Sequence, residues 1–189
     1  MSQTTTDRIR WTTTDIDLLP INEGTRYEIV DGELFVTRAP HWKHQATCTK
    51  IGTQLELWSS AERLGQVTIN PGIIFTESDN VIPDVVWASN ERLAILLDEA
   101  GHLTGAPELV VEVLSPGAEQ ERRDKEAKLK LYSLRGVQEY WIVNWRLEQV
   151  EVYRRENAAL VLVATLGSED TINSPLLPDF QCSVARFFV

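Results

Sequence analysis

The sequence is short of most features that assign a protein at a glance. It has 2 cysteines in 189 residues, Cys48 and Cys182, too far apart for a CxxC metal or redox pair. Free thiols in a reducing compartment are the expectation. No apolar run approaches the ~20 residues needed to span a bilayer, so no membrane partner is expected. The opening M-S-Q-T-T-T-D-R has no apolar core of a signal peptide, which makes a cytoplasmic location the expectation. Basic residues are outnumbered: 18 Lys and Arg against 28 Asp and Glu leave a net charge of −10. That argues against loose coating of nucleic acid, which depends on phosphate neutralisation. A local basic cleft stays open, because fields are set locally as well as by total charge. Internal repeats and low-complexity tracts are absent.

What is present is 43% hydrophobic, enough for one domain with a sizeable core. Residues 1–25 read as an extension carrying a short helix, and 26–189 as a single domain. Residues 1–10 are polar and expected to fray. Thr12 to Asp15 can cap a helix running to Leu19, stopped by Pro20, with a loop at 21–24. Arg26–Val30 and Glu33–Thr37 flank Asp31-Gly32, the strongest short-range hairpin signal. Glu28 on the first arm reads as solvated. A helical pattern runs over 44–63, with Gly65 as its C-terminal glycine. His41 and His44, at its start, read as capping or packing residues.

Strand patterns follow at 66–75 and 81–87, with a polar turn over 76–80 between them. A short helix is expected over 90–97 and a buried strand over 107–114. The segment 118–135 reads as one helix, with Ala127, Leu131 and Leu134 as its apolar stripe. Three strands at 138–144, 148–155 and 159–165 form an antiparallel meander. A loop spans 167–175, and Phe180, Phe187 and Phe188 dock the terminal segment on the core.

Two of the buried-strand patterns each contain one acid: Asp84 in V-I-P-D-V-V-W and Glu112 in P-E-L-V-V-E-V-L-S-P. A buried carboxylate without a partner is costly, so each must be paired, protonated or on a metal. The strands can be neighbours, which would bring two like charges together. A divalent cation such as Mg²⁺ suits such an oxygen-donor pair; separate Arg or Lys partners at the strand ends would also serve. On the helix that follows, Asp124, Lys128 and Tyr132 lie along one flank of the apolar stripe. Lys128 either pairs with Asp124 at the surface or points at the two acids and stabilises charge on phosphate.

Together with Y-E-I-V-D-G-E-L (27–34), His44, P-D-V-V (83–86), R-D-K-E-A-K-L-K-L-Y (123–132) and G-V-Q-E-Y-W-I-V (136–143), these motifs give a chain that resembles the Uma family of predicted restriction endonucleases. That family is a branch of the PD-(D/E)XK nuclease superfamily. The resemblance covers roughly 26–180. It implies an α/β (α+β) restriction endonuclease-like fold: a mixed β-sheet flanked by helices, with an N-terminal β-hairpin and C-terminal antiparallel strands. It implies a metal-dependent endonuclease acting on nucleic acid, DNA foremost. Asp84, Glu112 and the carbonyl of Val113 would hold Mg²⁺ or Mn²⁺, and Glu28 matches a further acid near the metal. The superfamily places a lysine two residues after the second acid. Here that position is Leu114, and Lys128 is the replacement the resemblance offers, with Lys125 and Lys130 as competitors. The rival readings are a catalytically silent nuclease-fold protein acting as a binding or regulatory module, and a homodimer built on Trp42, Trp58, Trp87, Trp141 and Trp145.

Overall fold

The computed structural model describes residues 9–20 and 24–189; the expected loop at 21–24 and the expected fraying of 1–10 lie largely outside them. The first helix, α1, is Thr13–Ile16. Asp15 Oδ2 accepts from the Thr12 amide and hydroxyl, both at 2.8 Å, so the expected cap is present. The helix stops well short of Leu19, because it buries none of its residues and only packing would sustain it. The hairpin forms as read: β1 (Arg26–Val30) and β2 (Glu33–Thr37) turn through Asp31 and Gly32, with φ of 49° and 74°. Both values are the left-handed ones that a two-residue hairpin turn needs.

The long helix α2 is Trp42–Glu62. His41 caps it, its Nδ1 accepting from the Lys43 amide at 3.1 Å. The C-terminal cap is Arg63, at φ 55°, and not Gly65 as the sequence suggested. Gly65 instead opens β3 (Gly65–Ile69), where it is needed for space. A Cβ there would lie 2.3 Å from the Ala88 carbonyl oxygen and 2.9 Å from the Trp87 ring. Next come β4 (Ile73–Thr76), β5 (Asp79–Val81), β6 (Val85–Ser89) and α3 (Asn90–Leu96). The polar turn expected over 76–80 shrinks to Glu77 and Ser78, because the Asp79 carboxylate accepts from the Asp31 amide and pairs with Arg135. The single strand expected over 81–87 is split at Ile82 to Asp84, where Pro83 supplies no amide to a ladder.

Strand β7 (Leu109–Val113) is wholly buried. The segment expected as one helix is three pieces: α4 (Ala118–Arg122), a π-helical turn (Arg123–Lys128) and α5 (Leu129–Arg135). Piece α5 buries Leu131 and Tyr132, and Leu134, expected in the apolar stripe, is 72% exposed. Strands β8 (Glu139–Asn144), β9 (Gln149–Glu156) and β10 (Ala159–Gly167) make the expected meander. The loop expected over 167–175 contains β11 (Thr171–Ser174), paired with β12 (Leu177–Ser183). A 3₁₀ turn, Val184–Phe187, follows. Phe180, Phe187 and Phe188 are buried as expected. Trp87 and Trp141 are core residues, while Trp42 is 83% exposed.

The central sheet has the order β10-β9-β8-β7-β6-β3, antiparallel except for β7 beside β8, and is therefore mixed. A smaller sheet, β2-β1-β5-β4, includes the hairpin. The alternation of β7 divides the core. Val111 and Val113 face α2 and the C-terminal segment, in a cluster with Ile51, Leu55, Trp141 and Phe187. Val110 and Leu114 face the other way, with Val81, Tyr132 and Tyr140. Glu112 shares the period of Val110 and Leu114, and so belongs to this second face. No helix among the described residues is long and apolar enough to cross a membrane.

The close approach at Gly65 gives a direct stability test. Gly65→Ala forces β3 away from β6 and should lower the urea unfolding free energy by about 1–3 kcal/mol, read from the transition midpoint at unchanged slope.

Candidate active site

The register of β6 against β7 sets the two acids opposite each other. Val85 pairs with Val111, and continuing the ladder by one residue brings Asp84 across from Glu112. The Val113 amide donates to Asp84 Oδ2 at 2.8 Å, which fixes the Asp84 carboxylate against the end of β7. Both acids are buried, and both line one cleft with Arg26, Glu28, Arg38, His44, Arg123 and Lys128.

Lys128 reaches into this group from the last residue of the π turn. Its Nζ lies 2.8 Å from Glu112 Oε1 and 2.7 Å from Glu28 Oε1. Tyr132, one turn further on, donates its hydroxyl to Glu112 Oε1 at 3.0 Å. The lysine competitors point elsewhere: Lys125 Nζ pairs with Glu151 at 2.5 Å, and Lys130 is exposed. The expected surface pair of Asp124 with Lys128 is a buried contact at 4.0 Å. Glu28, read as solvated, is buried instead. It accepts from the Ile82 amide at 2.8 Å, because β5 covers the flank of β1 that a lone hairpin would leave open.

Several members of the cluster were not assigned to the site from the sequence. Arg123 Nη1 is 3.5 Å from Glu28 Oε2, and Arg123 Nε donates to Asp124 Oδ1 at 2.8 Å. Consecutive charges in a helix usually read as a solvated face, which hid this pair. Arg26 Nη1 lies 3.6 Å from Asp84 Oδ1. His44, read as a capping or packing residue and as one of the motifs of the resemblance, is buried with Nε2 3.3 Å from Asp84 Oδ2. Alternation on β1 could have flagged Arg26, since it shares a face with Glu28.

The charges are unevenly matched. Burial would raise the Asp84 pKa, but the hydrogen bond and charge of His44, the Val113 amide and Lys128 bring it below the usual carboxylate value. Glu28 is likewise lowered, because Lys128 and Arg123 outweigh its burial. Glu112 is not compensated. Burial, reinforced by Asp84, Asp124 and Glu28, pushes it up to about 8 in spite of Lys128. Burial would lower the Lys128 pKa, yet Glu112 and Glu28 hold it above its ordinary value, so the ammonium stays charged. Four buried carboxylates, Glu28, Asp84, Glu112 and Asp124, share the region with two buried cations, Arg123 and Lys128. The half-buried Arg26 adds one more. The excess negative charge shows in the raised pKa values of Asp124, driven by burial, and of Glu112, beside Asp84.

A hard divalent cation fits that excess. Asp84 and Glu112 offer oxygen donors from opposing strands, the donor type that Mg²⁺ and Mn²⁺ take. A cation there would replace the proton that Glu112 otherwise keeps at neutral pH.

Comparison with known proteins agrees with the fold. The chain is similar to a structure described as a "putative nuclease belonging to DUF820 from Anabaena variabilis ATCC 29413". The TM-score is 0.74 at 19% identity, covering 94% of this chain and 97% of that one. A type IIG restriction endonuclease, BpuSI, matches at a TM-score of 0.40 and 13% identity, over 76% of this chain and 14% of that one. No curated protein matches the chain. The family model Uma2, described as "Putative restriction endonuclease", matches residues 13–185. That span runs from α1 into the final 3₁₀ turn and holds every residue of the cleft, and the chain belongs to the Uma2 family.

Proposed function

We propose that this protein is a metal-dependent endonuclease that hydrolyses phosphodiester bonds of nucleic acid, with DNA as substrate. The observation that carries the reading is the carboxylate pair, Asp84 opposite Glu112, left short of positive charge in a cleft lined by Arg26, Arg38, Arg123 and Lys128. Asp84, Glu112 and the Val113 carbonyl would hold Mg²⁺ or Mn²⁺. When bound, the metal supplies a Lewis acid and lowers the pKa of water. The residues of the chain do the rest. Lys128, pinned between Glu28 and Glu112, keeps a charged ammonium beside the acids and stabilises negative charge developing on phosphate. Glu28 and Tyr132 hold that lysine and Glu112 in register. His44 and the Val113 amide orient Asp84. Arg26 and Arg38 give the cleft the cations that a phosphate backbone needs.

The silent-module reading is favoured by one observation: the Lys128 ammonium is already engaged by two acid side chains, Glu28 and Glu112. Calorimetry separates the two, since a module without a metal site gives no heat with Mg²⁺ or Mn²⁺ at millimolar concentration.

Asp84→Asn and Glu112→Gln keep the shape of each side chain and remove one donor charge. Each should lower Mg²⁺- or Mn²⁺-dependent cleavage of DNA by about a thousandfold or more. Gel assays of plasmid and oligonucleotide substrates measure this, and cleavage unchanged in both variants would sink the proposal.

The pKa of Glu112 gives a second expectation. The fold keeps this proton up to about pH 8, whereas the unfolded chain loses it near the ordinary 4.5. The folded state thus binds more protons between those values. Stability contributed by Glu112 is complete at acid pH and is lost as pH rises toward 8, by up to about 1.4 kcal/mol per pH unit. Urea midpoints of the metal-free protein should fall from about pH 5.5 to about 8 and then level off, and Glu112→Gln should flatten the fall. Mg²⁺ affinity should tighten over the same window, by up to about tenfold per unit.

A further inference from the structure

Beside the oxygen donors lies a group of different chemistry. His44 and Cys48 are four residues apart on α2, so both side chains leave the same face of the helix. Both are buried, and Cys48 Sγ is 3.5 Å from His44 Nδ1. The other nitrogen of that ring, Nε2, is 3.3 Å from Asp84 Oδ2. One donor atom from each of His44, Cys48 and Asp84 lies within 4.8 Å of the other two. Sulfur and nitrogen ligands on one tetrahedral zinc, at ~2.3 and ~2.0 Å from it, stand about 3.5 Å apart. The thiol and the imidazole already have that spacing.

We propose that His44, Cys48 and Asp84 form a second cation site, selective for a borderline or soft transition metal of the Zn²⁺ class. A thiolate, an imidazole and one carboxylate suit Zn²⁺ or Co²⁺, and a sulfur donor is foreign to Mg²⁺. The imidazole offers the metal one nitrogen, so binding gives up one of the two contacts that the ring now makes. The thiol proton passes to solvent as the metal binds. His44 and Asp84 both line the cleft, which leaves the metal an entry path and room for a water as fourth ligand. Asp84 is the shared member. A transition metal held here takes Asp84 away from Glu112, and the two kinds of cation exclude each other. Binding at this site does not depend on the nuclease reading; only that competition does.

Titration of the metal-free full chain with Co²⁺ alone tests the site without any nucleic acid. A thiolate-to-cobalt charge-transfer band should appear in the near ultraviolet and saturate at one equivalent. Zn²⁺ should abolish it, and a large excess of Mg²⁺ should weaken Co²⁺ binding. Cys48→Ser, which keeps a small polar group beside His44, should lose the band and bind Co²⁺ more than about a hundredfold less tightly. Cys182→Ser should keep the band, and circular dichroism should show both variants folded. No band in the wild type overturns the proposal, and so does a band that survives Cys48→Ser or disappears with Cys182→Ser. The cleavage assays on Asp84→Asn and Glu112→Gln stand independently of this result.

Discussion

The ammonium of Lys128 is the charge on which the site depends. It is 1% exposed, and an ammonium out of water costs several kcal/mol unless it is repaid. The Glu28 carboxylate from β1, which stays charged, repays it at 2.7 Å, and Glu112 from β7 accepts from the same ammonium at 2.8 Å. The hairpin is thus tied at one point to β7 of the central sheet and to the helical segment after it, which lie more than seventy residues further along the chain. The acids need the lysine equally. Without it, Glu28, Glu112 and Asp124 would face one another with only Arg123 between them. Such a cluster is a poor source of stability compared with apolar packing of the same volume. Its presence in an otherwise apolar face is better accounted for by chemistry than by folding energy.

The π turn at Arg123–Lys128 is what makes the cluster possible. Residues five apart diverge around a regular α-helix, and i→i+5 hydrogen bonding brings them back toward one side. Arg123 and Lys128 are such a pair, and both reach Glu28. The carbonyl of Asp124, within the turn, accepts from the Tyr140 hydroxyl on β8 at 3.0 Å, so the sheet holds the widened turn. The irregular helix is thus the geometry that lets two cations meet the carboxylates they match.

The sheet strands, the hairpin and the pairing of Asp84 with Glu112 were legible because they rest on local rules: alternation, turn residues and an acid out of place in an apolar run. Lys128 was legible from its position on the helix, although its phase was read on a regular helix that the structure does not have. The local reading of Glu28 as solvated failed, although the resemblance set it beside the other acids, because burial on β1 comes from β5, more than forty residues away, and no local pattern reports a second strand on the far side of a hairpin. Arg123 and Asp124 were hidden by their neighbours, since R-R-D-K-E looks like any solvated helix face. Gly65 was placed at the wrong job for a similar reason. A glycine after a helix suggests a cap, but here the helix ends at Arg63 in the left-handed region, and the missing Cβ makes way for the Ala88 carbonyl.

The net charge of −10 and a phosphate substrate are compatible only if the cleft carries its own field. Its lining does hold Arg26, Arg38, Arg123 and Lys128, but most of that charge is already engaged: Arg123 by Glu28 and Asp124, Lys128 by Glu28 and Glu112, Arg26 by Asp84. Paired cations in a low-dielectric wall attract an anion far less than free ones. On the proposed reading, a divalent cation beside Asp84 and Glu112 reverses this balance. It satisfies Asp84 and Glu112, which frees Arg26 and loosens one of the two holds on Lys128, while Arg123 stays with Glu28 and Asp124. Substrate binding and metal binding then become one linked equilibrium, and a protein this acidic would hold nucleic acid only where and when its metal site is filled.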